Sequence, residues 1–145
     1  MTIETLRIII ALFFLAHGLV HISLSWVPTP QPGALRTPFF PAWWIKDTDP
    51  LWPASKLGLS SGIVRTIGWI LWILVFAAFF LAALGVFGIP FLSSIWIPLA
   101  AAGSIISLLL ITLYWHPWFP VGALLDAAIL AGLYFQVPAA LFPGT

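Results

Sequence analysis

Hydrophobic residues are gathered into four long runs along this chain of 145 residues. The runs cover residues 3–26, 62–87, 95–115 and 121–142. A helix needs about 20 mostly apolar residues to cross a hydrocarbon core about 30 Å thick. Backbone polar groups in lipid must find their hydrogen-bond partners within the segment, so each run is predicted to be a membrane-spanning helix. The pattern therefore predicts an all-α integral membrane protein with four transmembrane helices.

Short polar or proline-containing breaks separate the last three runs. Gly88, Ile89 and Pro90, followed by Ser93 and Ser94, predict a tight turn between the second and third runs. A second turn is predicted at 116–120, because proline disfavours helix in the residue before it. Connections this short favour an up-down bundle with both chain ends on one side.

Pairs of small residues four apart predict where the helices approach each other closely. They are Ala78 and Ala82, Gly103 and Ser107, and Ala128 and Gly132.

The connection at 27–61 is the long one, and its composition is unusual. It holds seven of the thirteen prolines, together with Phe39, Phe40, Trp43, Trp44 and Trp52. Tryptophan favours the headgroup level, where its apolar ring is buried and its N–H stays wet. A Pro/Trp-rich loop at the membrane interface is predicted. An aromatic anchor, a lid over a lipid or quinone entrance, and a partner-docking surface all remain open for it.

Composition narrows the class of protein further. The chain is 62% hydrophobic and 6% charged, with a mean hydropathy of +1.13, whereas about a quarter of the residues in a soluble domain are charged. Cysteine is absent, which excludes disulfides and cysteine metal sites. The net charge of +1 gives no reason to expect nucleic acid as a partner. One transmembrane domain, 1–145, with the lipid bilayer as its surroundings, is expected.

The stretch FLAHGLVH places His17 and His21 one helical turn apart inside the first run. If the four runs cross alternately, then His116, Asp126 and Arg65 fall on the same side of the membrane, the side of the 27–61 loop. An ionisable group inside a membrane costs about 2.5–3.5 kcal/mol on insertion scales, and such groups usually face the bundle interior or pair with each other. Asp126 is therefore expected to lie inside and to meet His17, His21 or Arg65.

Several kinds of site fit this set of residues. A polar clasp would fix the register of the helices without any chemistry. A quinone or lipid headgroup could accept a hydrogen bond from a histidine, and a haem or chlorophyll-type pigment could take a histidine as its axial ligand. The His-x3-His spacing also allows two imidazoles to reach one zinc ion, but Gly18 stands where metalloproteases have glutamate. No metal site is predicted from the sequence, and the other readings stay open.

Arg7, the apolar turn after it and the segment FFLAHGLVH together resemble the first helix of the DoxX-like family. These are small four-helix membrane proteins with a similar F-L-x-H-G-L segment, and the family takes its name from a subunit associated with a terminal quinol oxidase. The resemblance covers residues 7–22, the four-span layout and the overall length. It implies a helical bundle in a respiratory or redox membrane and identifies no catalytic residue.

The leading functional hypothesis is a non-catalytic accessory or scaffold subunit of a larger, quinone-linked respiratory or photosynthetic membrane complex. The alternative is a small redox or lipid-modifying membrane enzyme that uses His17, His21, His116 and Asp126. A prokaryotic cell (inner) membrane is the expected location. Arg36, Lys46, Lys56 and Arg65 outnumber Arg7 on the other side, so the positive-inside rule places the 27–61 loop in the cytoplasm.

Overall fold

The protein is described from a computed structural model that covers residues 2–25, 57–114 and 119–137, and these residues are helical apart from short turns and caps. Helix α1 spans Ile3–Ser25, α2 spans Ser61–Val86, α3 spans Leu92–Leu113 and α4 spans Phe119–Tyr134. Residues 27–56 of the predicted interfacial loop lie outside the described residues.

Hydroxyl side chains cap the first two helices. The Thr2 hydroxyl accepts a hydrogen bond from the Thr5 N–H at 3.1 Å, at the start of α1. The Ser60 hydroxyl does the same for the Ile63 N–H at 3.4 Å, at the start of α2. The first N–H groups of a helix have no partner within the helix, so these oxygens fix where each helix begins.

The connection between α2 and α3 is a tight turn, as the sequence predicted, but it is shorter. Gly88 has a φ of +93°, and its N–H donates to the Gly85 carbonyl while the Ile89 N–H donates to Leu84. This pair of bonds is a Schellman ending, which requires a residue with positive φ and therefore favours glycine. Helix α3 already begins at Leu92 instead of residue 95. The expectation that Ser93 and Ser94 belong to the turn is wrong, because both lie in the first turn of α3.

The helices pack in chain order: α1 against α2, α2 against α3, and α3 against α4. The main apolar core combines residues from the first three helices, with Phe79 of α2 fully buried at its centre: Ala11, Phe14, Val75, Phe79, Ala82, Ala83, Val86, Trp96 and Ala100. A second, smaller core contains Trp72, Leu110 and Tyr114.

Small residues bring α2 close to both α1 and α3. A Cβ added at Gly103 would lie 3.3 Å from Ala78 and from the Phe79 ring, so this predicted close approach of α2 and α3 is confirmed. A Cβ at Gly18 would lie 3.2 Å from the Phe79 Cβ, so the glycine between the two histidines is where α1 approaches α2. The third predicted pair does not pack, because Ala128 is exposed and a Cβ at Gly132 would meet nothing within 4 Å.

Three of the helices are long and apolar enough to cross a membrane, over Ile3–Ile22, Thr66–Val86 and Leu92–Leu113. Large apolar side chains on their outer faces, such as Ile8, Ile70 and Ile105, are exposed. Helix α4 is apolar but shorter, and it ends at Tyr134 rather than at residue 142. Its end is followed by a turn in which Gln136 has a φ of +55°. The chain is thus a helical membrane protein with three described helices of spanning length.

Candidate functional site

The two histidines of FLAHGLVH face the interior of the helical assembly. The exposed fractions are 7% for His17 and 3% for His21, whereas Leu19 and Val20 between them lie on the outer surface of α1. Residues four apart on a helix lie almost above one another, so an inward-facing His17 brings His21 inward as well.

Asp126 of α4 meets these histidines and is itself fully buried. Its Oδ1 lies 3.0 Å from the Nε2 of His17, which is the hydrogen bond expected from the sequence. Its Oδ2 accepts a hydrogen bond from the Ser107 hydroxyl of α3 at 2.5 Å. A single carboxylate therefore joins α1, α3 and α4.

The Ser107 hydroxyl extends the network to the second histidine. Its Oγ lies 3.1 Å from the Nε2 of His21. A hydroxyl has one hydrogen, and that of Ser107 is donated to Asp126, so the Nε2–H of His21 must donate to Ser107. With Asp126 ionised, His17 donates from Nε2 as well. The four side chains form one continuous chain of hydrogen bonds directed towards the carboxylate.

Aromatic rings enclose the two imidazoles. The Phe79 ring meets His17 edge-on, with centroids 4.8 Å apart, and stacks on His21 at 6.3 Å. Trp72 lies against His21 at 5.2 Å. Phe79 belongs to the main core and Trp72 to the smaller one, so the polar cluster is placed between the two apolar cores. These rings exclude water from the polar groups. The polar groups must therefore form their hydrogen bonds with one another.

Within residues 2–25, 57–114 and 119–137, two buried polar atoms near this network have no hydrogen-bond partner: Nδ1 of His21 and Oγ of Ser104. Ser104 precedes Ser107 by about one turn of α3 and is fully buried. In the neutral tautomer required by the Ser107 bond, Nδ1 of His21 carries a lone pair. As far as the described side chains reach, the network therefore retains one unused lone pair and one unused hydroxyl.

Three of these side chains could together hold a metal ion. One ligand atom from each of His17, His21 and Asp126 lies within 4.8 Å of the other two, and all three residues are buried. Neutral imidazole and carboxylate are common ligands of divalent transition metals. Alternatively, the Nε2–H groups of His17 and His21 could donate to the carbonyl of a small ligand, if that carbonyl took the place of the Asp126 or Ser107 oxygen as their acceptor.

The structure brings together His17, His21 and Asp126 but does not bear on the other two residues predicted for the site. His116 lies outside the described residues, and only the backbone of Arg65, in α2, is described. Ser107 was missed as a polar partner. The sequence had marked it as a small residue for helix packing. Its position about one and a half turns before the end of α3 at Leu113, at the depth of the histidines, was the signal that could have found it.

Ser104 and Ser107 offer a matched pair of substitutions on one helix. Ser107→Ala should lower the free energy of unfolding by about 1 kcal/mol, because it removes the link between Asp126 and His21. Ser104→Ala should leave it unchanged or raise it by up to about 1 kcal/mol, because it removes a buried hydroxyl without a partner. Unfolding of the detergent-solubilised protein by sodium dodecyl sulfate, followed by circular dichroism, measures both values. Equal losses from the two variants would contradict the network.

The site thus supplies two imidazoles, one hydroxyl and one carboxylate, drawn from α1, α3 and α4 and enclosed by rings of α2. Its arrangement depends on contacts between helices far apart in the chain. Compared with family models, curated proteins and solved structures, the chain gave no match to any of the three.

Proposed function

We propose that this protein is a non-catalytic accessory subunit of a larger, quinone-linked membrane complex. In this proposal the fourth apolar run crosses the membrane together with the other three, in an up-down bundle. The protein lies in a prokaryotic cell membrane, and the 27–61 loop is on the cytoplasmic side.

The enclosure of its polar groups is the observation that supports an accessory role best. His17, His21, Ser107 and Asp126 are exposed by 7% or less, and they form hydrogen bonds with one another. General acid–base or nucleophilic chemistry requires the reacting group to come within hydrogen-bond reach of a substrate. Groups that are buried and already bonded to each other are better suited to fixing how α1, α3 and α4 sit together.

The outer surface of the helices supports an environment of lipid and neighbouring membrane subunits. It carries exposed isoleucine, leucine, phenylalanine and tryptophan side chains, including Trp69 and Phe80 of α2. Exposed apolar area of this extent is covered by acyl chains or by other transmembrane helices. The link to quinone rests on the resemblance of residues 7–22 to the DoxX-like family.

Purification in a mild detergent tests this role. The full chain, tagged at one end and produced at its natural level in its native host, should elute with other membrane proteins at a fixed ratio. Mass spectrometry identifies these proteins, and extraction of the pool with an organic solvent shows whether quinone accompanies them. A tagged membrane protein of similar size and unrelated sequence, purified in parallel, is the control.

Two results would contradict the accessory role. One is a chain that elutes alone in several detergents at the same yield. The other is an isolated chain that turns over a quinol or a lipid at a steady rate, which would favour the small-enzyme alternative.

A further inference from the structure

The buried carboxylate of Asp126 has neutral partners when the two histidines are in the tautomers described above. Its hydrogen bonds come from the His17 imidazole at 3.0 Å and the Ser107 hydroxyl at 2.5 Å. If Asp126 is ionised and both imidazoles are neutral, the four described side chains together carry one negative charge, in a site that is fully enclosed at Asp126. A buried charge is costly unless it is paired or bound to a metal. A cation in the cluster would remove this cost.

The donor atoms already have spacings that suit a small metal ion. Bonds from zinc to imidazole nitrogen and carboxylate oxygen are about 2.0–2.2 Å, which places neighbouring ligand atoms about 3–3.5 Å apart. The Nε2 of His17 and the Oδ1 of Asp126 are 3.0 Å apart. The ion would take the place of the proton between them, and the neutral His17 ring would then carry its hydrogen on Nδ1. One ligand atom of His21 lies within 4.8 Å of a ligand atom on each of the other two residues. Closing the His21 distances from within 4.8 Å to about 3–3.5 Å would complete a three-ligand set.

The rest of the network fits the surroundings of a metal site. Ser107 holds Oδ2 of Asp126, which leaves Oδ1 directed at His17. A hydrogen bond to the far oxygen of a ligating carboxylate orients it, and loss of such a bond typically weakens metal binding about 10–100-fold. The Nδ1 of His21 is a second, independent sign, because this buried nitrogen has no hydrogen-bond partner within the described part of the chain.

We propose that His17, His21 and Asp126 form a binding site for a divalent first-row transition metal ion, such as Zn²⁺. Two histidines and one carboxylate are a ligand set used for zinc and for non-haem iron(II). The ion ties α1 to α4 and neutralises the buried carboxylate. This inference goes beyond the accessory role and does not depend on it, since metal binding can be measured on the isolated chain.

The test uses the full chain, purified in mild detergent through a tag that contains no histidine. The protein is stripped with a chelator, incubated with ZnCl₂ and freed from unbound metal by gel filtration. Mass spectrometry of the metal content should find about one Zn²⁺ per chain, and the melting temperature should rise with added Zn²⁺. Binding of Co²⁺ in the same site should produce visible absorption bands that Zn²⁺ abolishes by competition.

Substitutions assign the metal to this site. His17→Gln, His21→Gln and Asp126→Asn should each weaken Zn²⁺ binding at least 100-fold and remove the rise in melting temperature. Ser107→Ala should weaken it about tenfold, in line with a residue that positions a ligand. Ser104→Ala is the matched control, and it should bind Zn²⁺ as the natural chain does. His116→Gln should also bind normally, which separates this site from binding by the other histidine of the sequence.

Several outcomes would overturn the site. It is refuted if the natural chain shows neither bound Zn²⁺ nor a rise in melting temperature with Zn²⁺, Mn²⁺ or Co²⁺. It is equally refuted if Asp126→Asn or the two histidine variants, with unchanged circular dichroism, bind Zn²⁺ as tightly as the natural chain. If a histidine variant does not fold, Asp126→Asn and the Co²⁺ spectrum of the natural chain decide, since imidazole and carboxylate ligation produce different bands from water alone.

Discussion

Replacing Asp126 with alanine should lower the free energy of unfolding by about 2–3 kcal/mol. The substitution removes two hydrogen bonds between helices, to His17 and to Ser107, and leaves both donors unpaired in an enclosed site. An unsatisfied buried polar group costs about 1–3 kcal/mol. Single interhelical hydrogen bonds in membranes contribute less, about 0.6 kcal/mol on average and up to about 1.7. The two bonds and the cavity left by the carboxylate together support the value given.

The opposing effect is the cost of the carboxylate itself. Placing an aspartate at the centre of a membrane helix costs about 2.5–3.5 kcal/mol on insertion scales. Much of this free-energy cost also applies to the unfolded chain in a membrane or micelle. It therefore largely cancels from the difference between the folded and unfolded states. What remains is the loss of the partners that only the folded state provides.

Asp126→Asn is the matched control, because asparagine keeps the size of the side chain and removes its charge. The amide oxygen can accept from Ser107, and the amide nitrogen can donate to His17 in its other tautomer. The loss should stay below about 1 kcal/mol, because both interhelical bonds persist without the charge. Titration with sodium dodecyl sulfate, followed by circular dichroism and tryptophan fluorescence, measures all three proteins. An alanine variant more stable than the natural chain would contradict the stabilising role of these two interhelical bonds.

The polar cluster was partly predictable because a membrane makes polar residues conspicuous. His17, His21 and Asp126 stand out from apolar runs, and their cost in lipid requires them to face inward and to find partners. Ser107 did not stand out, because a serine in a membrane helix serves close packing equally well. Only the three-dimensional rotation of α3 directs its hydroxyl to Asp126, and a periodic pattern of residues does not fix that rotation.

The helices themselves followed from hydropathy, whereas their ends depended on local chemistry. Helix α3 begins at Leu92 because the ending at Gly88 completes the turn in few residues, so Ser93 and Ser94 are free to start a helix. The predicted pair Ala128 and Gly132 did not pack, since small residues permit close approach without creating it. The resemblance to the DoxX-like family and the link to quinone remain predictions.

Replacing Gly85 with leucine should have a larger effect than any of the serine substitutions, with a loss of about 3 kcal/mol or more in the free energy of unfolding. A Cβ at this position in α2 would lie 2.5 Å from the Leu92 carbonyl oxygen and 2.6 Å from the Trp96 Cβ. Neither atom is the end of a flexible side chain, so the start of α3 would have to move away from α2. Trp96 belongs to the main core, and overpacking of a core typically costs about 1–3 kcal/mol and sometimes more.

Gly132→Leu in α4 is the matched control, because a Cβ there meets nothing within 4 Å. Leucine is a better helix former than glycine by up to about 1 kcal/mol, so this variant should be as stable as the natural chain or slightly more so. Gly85→Ala should fall between the two, since the gain in helix propensity offsets part of the clash. Melting followed by circular dichroism in the same detergent ranks the series. If Gly85→Leu melts at the temperature of Gly132→Leu, then α2 and α3 do not approach each other at Gly85.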